Sequence, residues 1–321
     1  MPLPFIAAIL PTVSLFIYAI LTSIEAGAAL FVVEPELLAL GAGAAHAARN
    51  YLSPLWEATN IFLVLPIIGV ALLFPGATPV WTPPLLGTLF LFLALVGIRI
   101  LGILYFSYGT GESRIMRALF VAGSFCAPIV LTAGVIPYLM TGITPFGSVE
   151  WILAGTFGIG TFVTALFISF SFFEYFAKRQ GLAMNPRLPA VTRIFFVLFL
   201  LVAAFAFVIM STLSAPVGSD LVKFLPGFVL AAMIEILLFE RMRARTAGYR
   251  FALAVVMFGL VTAALVNAQL PYLVFPMVTV FSTFTDPASG GLIIDALAGG
   301  MILVVPSFVL LYYLFAFRRQ R

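Results

Sequence analysis

Ile194 to Met210 reads IFFVLFLLVAAFAFVIM, a run with no charged or hydrogen-bonding side chain. Extended by its neighbours to 190–213, it is long enough to cross about 30 Å of bilayer hydrocarbon as an α-helix, which takes roughly 20 apolar residues. Working outward, the pattern recurs near 5–33, 55–75, 84–108, 117–141, 149–176, 222–240, 251–275 and 292–317, making nine spans in all. With 63% hydrophobic and only 9% charged residues, the chain could not solvate the surface of a water-soluble domain. Lipid-facing helices tolerate that composition. The fold expected is all-α: a polytopic transmembrane helix bundle of about nine spans, packed as two four-helix bundles plus one extra helix, forming a single integral membrane domain over residues 1–321.

The connections are short and marked by breakers: Pro75-Gly76, Pro79, Pro83 and Pro84 after the second span, Asn185-Pro186 after the fifth, Pro216 and Gly218 after the sixth. Arg49, Arg114, Arg117, Lys178, Arg179, Arg187, Arg193, Arg241, Arg243, Arg245 and Arg250, with Arg318, Arg319 and Arg321 in the tail, flank alternate loops on one side. The other side has only Lys223. Short basic loops stay in the cytoplasm, so the N-terminus is expected outside the cell membrane and the C-terminus inside. The net charge of +4 therefore resides in loops and forms no stripe for nucleic acid. Ala26 to Ala29 resembles a cleavage site, but a basic n-region is missing and Glu25 precedes it, so the first span reads as an uncleaved helix.

Haem ligation draws on histidine, cysteine, methionine or tyrosine. The single histidine, His46, lies in the connecting segment Gly41 to Asn50, and the single cysteine, Cys126, reads as a small packing residue in an apolar run. Bis-histidine haem is excluded within the chain, no disulfide can form within it, and a metal centre would need carboxylates alone. No cofactor is expected in this chain.

An ionisable group inside a span costs about 2.5–3.5 kcal/mol on insertion scales and needs a reason. Glu25, Glu57, Arg99, Glu235 and Asp295 qualify. Glu174 beside Lys178, and Glu240 beside Arg241, read as interfacial. Glu25 and Glu57 are expected at comparable depth in the inner halves of the first two helices. Thr22 stands three residues before Glu25 and Asn60 three after Glu57, each on its carboxylate's face. Arg99 falls toward the same side. Two readings follow: a neutralised cluster with Arg99 as counterion, or a proton relay along Glu25, Glu57, Thr22 and Asn60. Glu235 is expected to hydrogen-bond to another helix or to remain a protonated acid. Asp295 is expected to reach the interface by snorkelling, and Asp286 to be solvated or a helix cap. Trp81 and Trp151 fit an interfacial belt.

The polar stripes carry a family resemblance. Ala19 to Gly27, AILTSIEAG, resembles the first helix of subunit II of cytochrome bd-type quinol oxidases, in which an acid precedes a small segment. Trp56-Glu57-Ala58-Thr59-Asn60 is similar to the element opening that family's second helix. Gly123-Ser124-Phe125-Cys126-Ala127-Pro128 is similar to one in its fourth, and Thr285 to Ser289, followed by Pro306 and Leu310 to Tyr313, to its last. The chain departs from the pattern at Arg99 to Leu104, and both matching acids are Glu where the family has Asp, so it resembles a divergent member.

The resemblance implies a respiratory-chain electron-transport complex, a heterodimer in which a haem-bearing subunit I oxidises quinol and reduces oxygen with haems b and d. This chain would be its non-haem subunit, with Glu25 and Glu57 as the matching acids of a cytoplasmic proton path. Membrane lipid, a quinone and a small single-span accessory subunit are further partners the resemblance admits; nucleic acid is not. The competing readings are a proton-coupled secondary transporter using Glu25, Glu57, Arg99 and Glu235, with helices broken at Pro66, Pro128 and Pro137, and a quinol-handling membrane anchor of another redox complex.

Overall fold

The computed structural model describes residues 2–33, 42–108, 113–181, 187–213, 225–240 and 247–317; side chains at 32, 42–57, 107–108, 180, 211–213 and 311–317 are outside the description. The long helices are α1 (Leu3–Val33), α2 (Ala42–Leu73), α3 (Thr78–Tyr108), α4 (Arg114–Thr141), α5 (Ser148–Gln180), α6 (Leu188–Leu213), α7 (Leu225–Glu240) and α8 (Ala247–Gln269). A two-stranded antiparallel ribbon, β1 (Tyr272–Val274) with β2 (Val278–Thr279), a single-turn α9 (Val280–Thr283) and a long α10 (Pro287–Phe317) complete the chain. Among the described residues, seven helices are long and apolar enough to cross a membrane: α1, α3, α4, α5, α6, α8 and α10. The apolar stretch Ala58–Leu73 of α2 and the described 16 residues of α7 occupy the other two expected spans.

The expected arrangement of two four-helix bundles plus one helix is present. In the first, α1 packs on α2 and α4, and α3 packs on α2 and α4, closing a ring. Its centre is Tyr18, Phe62, Leu63, Phe92, Val96 and Ala127. The second bundle is α5 to α8, cored by Val163 and Phe167 from α5, Phe196 and Phe199 from α6, Ala231 and Phe239 from α7, and Ala254 and Met257 from α8. α1 and α5 join the bundles, with Gly27 at the crossing: a Cβ there would lie 2.3 Å from Ser169 Cβ, so only glycine admits this approach. α10 stands outside, against α2 and α1. Because the helices alternate in direction, Arg114, Arg117, Lys178, Arg179 and Arg187 gather at one end of the molecule, here called the basic end.

Three expectations about boundaries change. The segment 41–50 is not a loop: α2 begins at Ala42, because Ala44-Ala45-His46-Ala47-Ala48 is a strong helix former. Pro79, Pro83 and Pro84 do not stop a helix but lie within α3. Pro84 has no N–H to offer the Val80 carbonyl four residues back; the Tyr138 hydroxyl of α4 donates to that carbonyl instead, at 3.0 Å. The span drawn to 275 ends at Gln269, whose side-chain amide donates to the Leu139 carbonyl at 2.7 Å, tying the ribbon to the end of α4. Pro128 and Pro137 break nothing, sitting inside a continuous α4, and Pro66 lies within α2.

Candidate functional site: two buried charge centres

Along α1 the buried face carries Ser14, Tyr18, Thr22 and Glu25, all at most 3% exposed. Glu25 sits about two turns before the end of α1 at the basic end. Opposite it, α3 brings Arg99, and α2 brings Thr59. Arg99 Nη1 lies 3.2 Å from Glu25 Oε2, an ion pair without hydrogen-bond alignment, and donates to Thr22 Oγ1 at 2.6 Å. The Thr59 hydroxyl donates to Glu25 Oε1 at 2.5 Å. Arg99 can approach because Gly123 lets α4 close on α3: a Cβ at Gly123 would lie 2.9 Å from the Leu95 carbonyl oxygen and 3.0 Å from Arg99 N. Among the described residues Arg99 Nε has no hydrogen-bond partner, while the Tyr18 hydroxyl lies beside Thr22 and Arg99. A carboxylate so held, with a cation on one oxygen and a hydroxyl on the other, can keep a charge or exchange a proton at a fixed place.

The second bundle holds a different centre. Glu174 of α5, expected at an interface, is buried, and it pairs with the equally buried Arg250 of α8 and with Lys178 Nζ at 3.0 Å. Arg250 was expected beside a loop; it reaches inward because its guanidinium stacks 4.7 Å above the Phe239 ring while its carboxylate partner lies on the next helix. One turn before Phe239, Glu235 is fully buried, and among the described residues neither of its carboxylate oxygens has a partner, so the expected hydrogen bond to another helix is not found among them.

Among the described residues, no group of three or more His, Cys, Asp or Glu stands close enough to hold a metal ion. The family described as cytochrome bd terminal oxidase subunit II matches residues 3–315, almost the whole chain. The chain belongs to that family. A putative cytochrome bd menaquinol oxidase subunit II from Bacillus subtilis (strain 168) is 27% identical over 338 residues, covering 94% of this chain and 92% of the relative. In fold, the chain is similar to a chain of the bd oxidase from Geobacillus thermodenitrificans, with a TM-score of 0.84, 24% identity, and coverage of 99% of this chain and 100% of that one.

For this subunit II chain, the structure brings Glu25, Thr22 and Arg99 together. Asn60 is half-buried on α2; the side chains of Glu57, Trp56 and His46 lie outside the described residues. Thr59 was missed. Its signal was the spacing Thr59, Phe62, Leu63 and Pro66, the buried face of α2. Tyr18 was missed as well, although it stands four residues before Thr22. Cys126 is exposed on the outer surface of α4 rather than packed inside. Asp295 is exposed on α10, and Asp286 is a cap: its Oδ2 accepts from Ser289 N at 3.1 Å, just before the Pro287 that starts the helix.

Proposed function

We propose that this chain is the haem-free subunit of a bd-type quinol oxidase in the cell membrane. It packs beside a haem-bearing subunit I that holds haems b and d, and lends the complex a proton path from the cytoplasmic side. The basic end is taken as cytoplasmic, on the distribution of Lys and Arg. The observation that carries the reading is the Glu25 centre: a buried acid in the basic-end half of the first bundle, held by Arg99 and Thr59 and continued by Thr22. Glu57 and Asn60, near the middle of α2, belong to the route by position. Arg99 is the counterion that keeps the path from accumulating negative charge.

The chemistry asked of these residues is modest. Oxygen reduction consumes protons at the partner's redox centre, and this chain would deliver them. Glu25 accepts a proton from the cytoplasmic side and passes it along the hydroxyls on its own face. A quinone and a single-span accessory subunit are further partners of the complex, with no residue of this chain assigned to either. Family membership and the unbroken helices at Pro66, Pro128 and Pro137 argue against the transporter reading.

The test is turnover per assembled haem in the complex purified with its native partners. Glu25→Gln and Glu57→Gln each preserve shape; slowed oxygen reduction with haem content unchanged supports the path. Normal turnover per haem in both removes it and leaves the glutamates as structural groups.

A further inference from the structure

The charge centre of the second bundle carries more positive charge than it neutralises. Arg250 and Lys178 share a single oxygen of Glu174. Arg250 is buried, and among the described residues its Nε and Nη1 have no hydrogen-bond partner. Its guanidinium lies over the Phe239 ring, and so does that of Arg193 from α6, whose Cζ is 5.6 Å from the ring centre. Arg193 is exposed, and its Nη2 donates a long hydrogen bond of 3.4 Å to the Phe239 carbonyl, which leaves most of its N–H groups unused. Glu240, the next residue, is exposed and forms no ion pair among the described residues. Three cations thus gather around one ring and one carboxylate oxygen.

An exposed arginine at a membrane edge ordinarily needs only water. Arg193 differs because it shares its ring with a second guanidinium that is buried, and like charges repel more strongly where water is excluded. An anion placed against Arg193 would relieve both. The surroundings say what kind of anion. On the face of α6 that Arg193 heads, Val197 and Leu201 follow at steps of four residues and are exposed, and Met233 and Leu237 are exposed on α7. Between these two helices, the Phe196 ring meets Phe239 at 5.7 Å and the Phe199 ring meets Phe228 at 6.2 Å. A cationic head above a strip of exposed hydrocarbon suits an amphiphile, whereas a dissolved anion would use only the head.

We propose that the basic end of α6 and α7 binds an anionic phospholipid, with its phosphate on Arg193 and an acyl chain along Val197 and Leu201. A guanidinium offers paired N–H groups to two phosphate oxygens. The Phe239 ring holds that of Arg193 by one face and leaves its edge free. Arg250 and Lys178 act from behind, as the unbalanced positive charge that makes a net negative headgroup preferable to a neutral one. The lipid joins α6 to α7 at the end where the two helices otherwise meet through Arg193 and the Phe239 ring. This inference stands apart from the Glu25 reading and shares no residue with it.

The experiment uses the whole complex purified with its native partners and delipidated in detergent. Its melting temperature is followed during titration with phosphatidylglycerol, with phosphatidylcholine, whose headgroup has no net charge, and with inorganic phosphate. Phosphatidylglycerol should raise it saturably, and the other two should not. Arg193→Gln changes an exposed residue, so the complex should assemble, yet it should need about fivefold more phosphatidylglycerol to reach the same shift. That factor corresponds to about 1 kcal/mol for one basic residue at an anionic surface. Arg193→Lys keeps the charge and loses the paired N–H geometry, so its midpoint should fall between the two. Arg114→Gln, an exposed arginine at the same end of the first bundle, should titrate like the wild type. A wild-type midpoint in Arg193→Gln, or an equal shift in Arg114→Gln, overturns the site in favour of general attraction to the basic end. The same saturable rise with phosphatidylcholine overturns the choice of an anionic lipid, and one with inorganic phosphate alone assigns the site to a dissolved anion and overturns the lipid. If Arg193→Gln does not assemble, Arg193→Lys decides: an unchanged midpoint there overturns the role of the guanidinium.

Discussion

The two bundles each bury a glutamate against an arginine, yet they do so differently. In the first, Glu25 and Arg99 are both 1% exposed, and the hydroxyls of Thr22 and Thr59 complete the centre from two helices. In the second, Glu174 is shared by Arg250 and by Lys178, whose side chain is 22% exposed, and Arg250 also rests on the Phe239 ring. The second centre thus opens through Lys178 toward the basic end, as snorkelling side chains do. The first is closed at that depth and continues inward along α1. A buried ion pair is weak support for stability or for function by itself; the polar stripe leading away from Glu25 is what distinguishes the two.

The comparison breaks most sharply at Arg99. Arg99→Leu leaves the Glu25 carboxylate without its cation, a loss of about 3–5 kcal/mol for a buried pair robbed of one partner. Assembled haem per milligram of membrane should collapse, and the double variant Arg99→Leu with Glu25→Leu should recover much of it. Failure of the double variant to recover would mean that Arg99 has a role beyond balancing Glu25.

The joint between the bundles comes next. Gly27→Val drives a side chain into Ser169, and overpacking of this kind typically destabilises by about 1–3 kcal/mol. Thermal unfolding in detergent should shift down, whereas Gly87→Ala, where an added Cβ meets nothing within 4 Å, should leave it in place.

Glu235 sharpens the contrast in the opposite direction. Glu235→Met removes a buried carboxyl with no partner among the described residues and should stabilise the chain by about 1–2 kcal/mol, since an unsatisfied buried group carries a penalty of that order. A drop in melting temperature would show that Glu235 has a partner when the complex is whole. The smallest effect belongs outside both bundles: Asp286→Ala removes the cap of α10, worth about 1 kcal/mol, and should show as faster amide exchange at Ser289 and Gly290.

Much of this was legible in the chain. Apolar runs the length of a bilayer give the helices, and the intramembrane charges point to Glu25 and Arg99 because so few groups of that kind can be tolerated there. What was hidden depends on rotation about the helix axis. Asn60 looked like the polar partner from α2, but the face of α2 turned toward Glu25 is that of Thr59, Phe62 and Leu63. Glu174 looked interfacial because Lys178 follows it one turn later; its second partner, Arg250, is 76 residues away and no local pattern announces it. Prolines misled in α3 because a side chain from another helix supplies what they lack.

That substitution has a consequence for how the molecule is made. The first turns of α3 contain a carbonyl, Val80, that its own helix cannot satisfy, and the hydroxyl that serves it is Tyr138, 58 residues later in the chain. During synthesis α3 is inserted before that tyrosine exists as part of a docked helix. The end of α3 is therefore a provisional structure until α4 has crossed the membrane and turned back against it. Tyr138 works as a latch that records the arrival of α4: only a correctly seated neighbour closes the gap.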